Sequence, residues 1–73
     1  MTRRQTALIH QEDDAYVALC PELDIASQGL SIEEARDNLK EAVELFLECA
    51  SDEEIRLRLE NDVLVTHIEV SIG

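Results

Sequence analysis

The sequence predicts a small α+β domain in which a sheet of short strands is covered on one face by a long helix. Three β-favouring runs come first, an amphipathic helical pattern follows, and a β-branched run comes last. Two glycines and one proline are present, and no linker or repeat divides the chain, so residues 1–73 form a single domain. The predicted order is β-β-β-α-(α)-β in one small mixed sheet.

The first three strands are predicted from β-favouring composition and turn chemistry. Residues 5–11 and Ala15–Cys20 form the first two, because the acidic residues between them suit a short hairpin turn. Pro21 has no amide hydrogen to donate to a sheet, so the second strand ends before it. A third strand is predicted at about residues 24–28.

Two helices are predicted from capping patterns. Ser31 and Glu34 form a capping box, which places the start of the long helix at Ser31. Apolar residues then recur at spacings of three and four as one stripe: Ile32, Ala35, Leu39, Val43 and Phe46. A second capping pattern begins at Ser51 and indicates a shorter helix to about Glu60, although residues 55–59 also alternate as a strand would.

The β-branched residues 63–72 are predicted to form the last strand, with Ile68, Val70 and Ile72 on one face. A right-handed crossover through the helix would make this strand parallel to its neighbour in the sheet. The helix covers one sheet face only, yet Ala15–Cys20 is apolar at every position. We therefore expect a second copy of the chain to cover the other face, giving a dimer or a tetramer.

Composition excludes several classes of function. The chain has 17 acidic and 6 basic residues, a formal net charge of −11, so direct DNA or RNA binding by this chain alone is not expected. Its apolar runs are far shorter than the roughly 20 residues that cross a bilayer, and no leader opens it, which predicts a cytoplasmic protein without membrane contact. Cys20 and Cys49 are too few for a disulfide framework.

Three motifs in order and spacing resemble the HicB family of antitoxins. They are Pro-Glu-Leu at residues 21–23, Ser-x-Gly at 27–29 and Glu-Ala-x-x-Asn-Leu-Lys-Glu-Ala at 34–42. The resemblance covers residues 5 to about 50. It implies a reduced ribonuclease H fold and the neutralisation of a HicA-like toxin, a small basic RNA-cleaving protein, by direct binding.

The sequence departs from the family pattern in three places. Ala15 stands where the family commonly has glycine, and Leu30 and Ser31 stand where aspartate and threonine commonly precede the helix. Many HicB antitoxins also carry a C-terminal DNA-binding domain, whereas this sequence stops at Gly73, so repressor activity is not expected.

No enzymatic activity and no cofactor or metal are expected. Ribonuclease H enzymes hold two metal ions with clustered carboxylates, one of them on the first strand, and residues 5–11 contain none. His10 and His67 would approach each other if the first and last strands paired, but no chelating spacing supports a metal site. A vestigial metal-dependent ribonuclease and an orphan oligomeric protein without a toxin are the alternatives to an antitoxin.

Candidate contacts with a partner or a second copy lie in three places. They are Tyr16 and Val17 on the second strand, Pro21 and Glu22 in the loop after it, and Glu41, Glu44 and Glu48 on the helix. The loop residues have two interpretations: the proline only ends the strand, or it shapes a loop that contacts the partner. The helix glutamates belong to residues 33–62, where 11 acids and 4 bases are either a solvated face or a surface for a basic partner.

Overall fold

The computed structural model describes residues 4–60 and 63–73. Three strands precede two helices, which confirms the predicted α+β class and the order of its first five elements. The bounds are β1 Leu8–Glu12, β2 Ala15–Cys20, β3 Ile25–Gly29, α1 Ile32–Cys49 and α2 Asp52–Leu59. The second strand has the predicted bounds, and residues 55–59 are helical, so their alternative interpretation as a strand is wrong.

The described strands form one antiparallel sheet in the order β1-β2-β3. Since directly paired residues lie on the same face, the register separates the side chains of the sheet into two sets. The inner face carries Ile9, Tyr16, Ala18, Cys20 and Ile25, which belong to the core or pack against it. The outer face carries Leu8, Val17, Leu19 and Ala26, and α1 does not lie over it.

The hairpin turn between β1 and β2 lies at the predicted acidic residues. Glu12 pairs with Ala15, which leaves Asp13 and Asp14 as the two turn residues. Asp13 has a φ of 55°, in the left-handed region that aspartate tolerates better than most residues. The short aspartate side chains therefore replace the glycine that such a turn usually contains.

Helix α1 packs on the inner face of the sheet through one stripe of its surface. Ala35 and Leu39 are buried, and Val43 and Phe46 pack against the same core. Ile32, predicted to share this stripe, is 52% exposed, so the buried part of the stripe begins at Ala35. Asn38 fixes the helix to β3 by donating from Nδ2 to the carbonyl of Gln28 at 2.8 Å.

The start of α1 is capped almost as predicted. The Ser31 hydroxyl accepts from the amide of Glu34 at 3.1 Å, as a capping box requires. The Glu34 carboxylate, however, accepts from the amide of Leu30 at 3.3 Å rather than from that of Ser31. The return bond thus reaches one residue further back and ties the incoming loop to the helix.

Helix α2 is held to the rest of the chain mainly by Arg58. Its Nη1 donates to the carbonyl of Leu23 at 2.5 Å, and its guanidinium carbon lies 4.8 Å from the centroid of the Phe46 ring. Leu59 packs against the core beside them. One arginine therefore connects α2 with both α1 and the loop between β2 and β3.

Residues 63–73 are the main departure from the predicted fold. They form no strand, so the predicted last strand is wrong for this structure, and the described sheet is antiparallel rather than mixed. Every one of these residues is exposed. A strand needs a neighbouring strand for its hydrogen bonds, and β-branched composition alone does not supply one. We refer to residues 63–73 below as the C-terminal segment.

Candidate protein-binding surface

The three predicted helix glutamates lie together on the outer face of α1. At 100° per residue, Glu41, Glu44 and Glu48 fall within one narrow arc of the helix, opposite the buried Ala35 and Leu39. All three are exposed. Asp37 falls in the same arc and is exposed as well. Helix α1 therefore presents a row of carboxylates to solvent.

The basic residues of α1 border this row on one side. Arg36 and Lys40 are on one flank of the helix, where they line a cleft described below. Among the described residues, the ion pairs join Arg56 to Glu60 and Arg58 to Glu54, and His10 Nε2 lies 3.6 Å from a Glu12 carboxylate oxygen. No carboxylate of the α1 row takes part in them, so its negative charge remains available to a partner.

An exposed leucine lies within the row of carboxylates. Leu45 is 53% exposed, and it follows Glu41 by four residues and precedes Glu48 by three, so it is a helical neighbour of both. An apolar centre with a charged rim is the usual arrangement of a protein interface. We define the acidic stripe as Asp37, Glu41, Glu44, Leu45 and Glu48. Leu45 is absent from the residues predicted from sequence, although its spacing already places it there.

The two predicted contacts on β2 lie on opposite faces of the sheet. Tyr16 is half-buried on the inner face and packs against the core. Val17 is half-buried on the outer face, opposite His10 of β1 and Gln28 of β3. Of the two, Val17 lies on the sheet face that we expect a second copy to cover.

The predicted loop residues make contacts within the chain. The Thr6 amide donates to Glu22 Oε1 at 3.0 Å, and the Thr6 hydroxyl donates to Oε2 of the same carboxylate. The Cys20 thiol lies 3.4 Å from Oε1. The next residue, Leu23, is fully buried. Pro21 and Glu22 are therefore part of a loop that anchors the segment before β1, which favours their structural interpretation.

These contacts shift the pKa of Glu22. Burial alone would raise it, but the hydrogen bonds from Thr6 and Cys20 stabilise the carboxylate and leave the pKa of Glu22 below its ordinary value of 4.5. Burial also raises the pKa of the Cys20 thiol, and Glu22 adds to that effect. Glu22 is thus ionised, and Cys20 protonated, at neutral pH.

We expect Glu22→Gln to remove a contribution to stability that depends on pH. A carboxyl whose pKa is lowered by folding stabilises the native state above its unfolded pKa, and this stabilisation is lost as the pH falls through the folded value. The difference in unfolding free energy between the original chain and the variant should therefore be largest above pH 4.5 and shrink in acid. Urea denaturation from pH 7 to pH 3 measures it.

The variant and the original chain must be compared at each pH, because acid also protonates the other carboxylates. That protonation relieves repulsion in a chain of net charge −11, whichever residue stands at position 22. Thr6→Val, which removes the hydroxyl donor, should reduce the same pH-dependent difference in part. A difference between Glu22→Gln and the original chain that is constant with pH, or that grows in acid, would contradict the assigned role of the carboxylate.

A cleft opens between α1 and the segment before β1. It has a volume of about 820 Å³, and its apolar lining includes Leu39, Val43, Leu47 and Ile55. Arg36 and Lys40 line it as well, and Glu44 and Glu48 lie at the same flank of the helix. Residues far apart in sequence form the walls of this cleft, so no local sequence pattern indicates it.

The described residues contain no cluster of three or more histidine, cysteine or acidic side chains arranged to hold a metal ion. Glu12 is the last residue of β1, so the first strand does carry one carboxylate, contrary to the bounds predicted from sequence. It is exposed, and its carboxylate lies 3.6 Å from His10 Nε2. His67 lies in the unpaired C-terminal segment, so the strand pairing predicted to bring it beside His10 is not formed.

The chain is 35% identical over 68 residues to a UPF0150 protein of Helicobacter pylori strain J99, an alignment that covers 92% of this chain and 94% of the relative. The chain belongs to the UPF0150 family. No family model matches it, and no solved structure does. The alignment with this UPF0150 protein covers nearly the whole chain.

Within the described part of this UPF0150 chain, no helix is both long enough and apolar enough to cross a bilayer.

Proposed function

We propose that the chain is a cytoplasmic, non-enzymatic antitoxin of the HicB type, which binds a small basic HicA-type toxin and blocks its RNA-cleaving surface. The observation that carries the proposal is the acidic stripe, an unpaired row of carboxylates around an exposed Leu45. The motif resemblance to HicB antitoxins supplies the identity of the partner. Membership of the UPF0150 family relates nearly the whole chain to the Helicobacter pylori protein, but the name of that family states no activity.

Electrostatics gives the stripe its part in binding. A chain of net charge −11 attracts a basic protein over the Debye length, which is about 10 Å at 0.1 M salt and about 3 Å at 1 M. Such steering acts on the association rate, whereas apolar contact made after encounter acts on the dissociation rate. We assign the first effect to the carboxylates of the stripe and the second to Leu45.

Neutralising the stripe is expected to slow association while leaving the protein folded. In the variant Glu41→Gln with Glu44→Gln and Glu48→Gln, we expect the association rate with a basic HicA-type toxin from the same organism to fall roughly ten-fold at low salt. The rates of the two proteins should converge towards 1 M salt. Stopped-flow or surface-plasmon kinetics over a salt series measures this, and circular dichroism checks the fold.

A matched control removes the same charge elsewhere. The control variant carries Glu12→Gln, Asp14→Asn and Glu53→Gln, which change three exposed acids outside the stripe. It therefore removes as much negative charge as the stripe variant does. We expect a clearly smaller loss of association rate. Leu45→Ala should instead raise the dissociation rate. Equal effects of the two triple variants would mean that total charge matters and the stripe does not bind.

A further inference from the structure

The C-terminal segment exposes an apolar strand-like face. Its residues alternate, so that Leu64, Ile68, Val70 and Ile72 share one side of an extended chain. Their exposed fractions are 86%, 81%, 69% and 96%. Soluble monomers seldom leave a contiguous row of large apolar side chains in water. The segment therefore has the composition of a buried strand without the contacts of one.

The sheet offers a place for such a strand at its β1 edge. β1 pairs with β2 on one side, and within the described residues no strand pairs with its other side. The cleft between α1 and the segment before β1 lies at this side of the sheet, under the apolar side chains Leu39, Val43 and Leu47. A strand added along β1 would place alternate side chains in the cleft. Those side chains would extend the apolar layer between the sheet and α1.

Charge favours the same two surfaces for contact between copies. Two chains of net charge −11 repel each other, but the C-terminal segment carries a single formal charge, at Glu69. The cleft is lined by Arg4, Arg36 and Lys40, three of the six basic residues of the chain, against two acidic residues, Glu44 and Glu48. Contact between this segment of one copy and this cleft of another therefore brings together less negative charge than contact between other surfaces of the two chains.

The shape of the chain points to a second copy rather than to the same one. The radius of gyration is 14.3 Å, against about 11 Å for a compact domain of this length. The segment lies exposed while the cleft of its own chain stays open. Each copy has one segment and one cleft, so a two-fold exchange between two copies fills both and leaves no open end.

We propose that the chain dimerises by strand exchange, in which the C-terminal segment of each copy adds to the β1 edge of the other and inserts Ile68, Val70 and Ile72 into its cleft. This interface is separate from the outer sheet face around Val17. If both were used, the assembly would be a tetramer. The exchange does not depend on any toxin.

Neighbouring substitutions on opposite sides of the segment provide the first test. Val70→Asp puts a charge on the apolar side, whereas Ser71→Asp puts the same charge on the other side one residue later. Since the segment makes no strand in its own chain, both variants should fold. By sedimentation or light scattering over a concentration series, Val70→Asp should raise the dimer dissociation constant at least ten-fold relative to Ser71→Asp, roughly 1.4 kcal/mol.

Isotope-filtered NMR of the full chain then identifies the contact. In a refolded mixture of ¹³C-labelled and unlabelled chains, we expect inter-copy NOEs between methyl groups of Ile68, Val70 or Ile72 and those of Val43 or Leu47. Such NOEs within one copy only, a monomer at all concentrations, or a dimer that Val17→Asp breaks and Val70→Asp does not, would each overturn the exchange. These outcomes leave the acidic stripe, and hence the proposed function, to its own kinetic test.

Discussion

Replacing Gly29 with alanine is expected to lower the free energy of unfolding by about 3 kcal/mol. A Cβ at this position would lie 2.5 Å from the amide nitrogen of Ala35 and 2.8 Å from the carbonyl carbon of Glu34. These are backbone atoms of the first turns of α1, so the methyl group can fit only if the helix moves off the sheet. A single core of this size rarely supplies more than about 3–5 kcal/mol, so most of the stability should be lost.

Gly73→Ala is the matched control, because a Cβ there meets nothing within 4 Å. Urea denaturation of both variants gives the comparison. An unfolding free energy of Gly29→Ala within about 0.5 kcal/mol of the original chain would mean that α1 does not approach β3 as closely as described.

The second large effect is expected for Leu23→Ala, which should lower the free energy of unfolding by about 3 kcal/mol. Leu23 is fully buried and is one of the two largest side chains with no exposure, so its truncation leaves a cavity in the small core. Its carbonyl also accepts the hydrogen bond from Arg58. Movement of the loop into the cavity would therefore weaken the attachment of α2.

Leu30→Ala makes the same chemical change at a leucine that is 76% exposed, and we expect it to alter stability by less than about 0.5 kcal/mol. Thermal or urea unfolding of the two variants separates the effect of losing a buried side chain from the effect of replacing any leucine with alanine. Similar effects of the two substitutions would show that the Leu23 loop is not part of the core. Pro21 and Glu22 would then again be candidates for contact with a partner.

Local signals account for the parts of the fold that sequence predicted well. The second strand is bounded by an acidic turn and by Pro21, and each signal acts on its own neighbours. Both helices begin after a serine whose hydroxyl accepts from the amide three residues later, at Ser31 and at Ser51. The helix glutamates of the candidate site were found for the same reason, because helical spacing alone places them on one side.

Long-range contacts account for what sequence did not predict. Arg58 and Leu23 are 35 residues apart in the chain, and no local pattern joins them. The cleft is formed by residues before β1, on α1 and on α2, so it exists only after packing. The alternation of the C-terminal segment predicted a strand, but alternation does not decide which sheet edge a segment pairs with, and in this structure the segment pairs with none.

Co-expression tests the central claim that this chain neutralises a small basic RNA-cleaving protein. Cells that produce a basic HicA-type toxin from the same organism should stop growing, and production of this chain should restore growth, with the two proteins recovered as one complex. The stripe variant carrying Glu41→Gln, Glu44→Gln and Glu48→Gln should restore growth less well than the charge-matched control. If the original chain restores no growth and forms no complex at micromolar concentration, the antitoxin assignment is wrong and an oligomeric protein without a toxin is the better account.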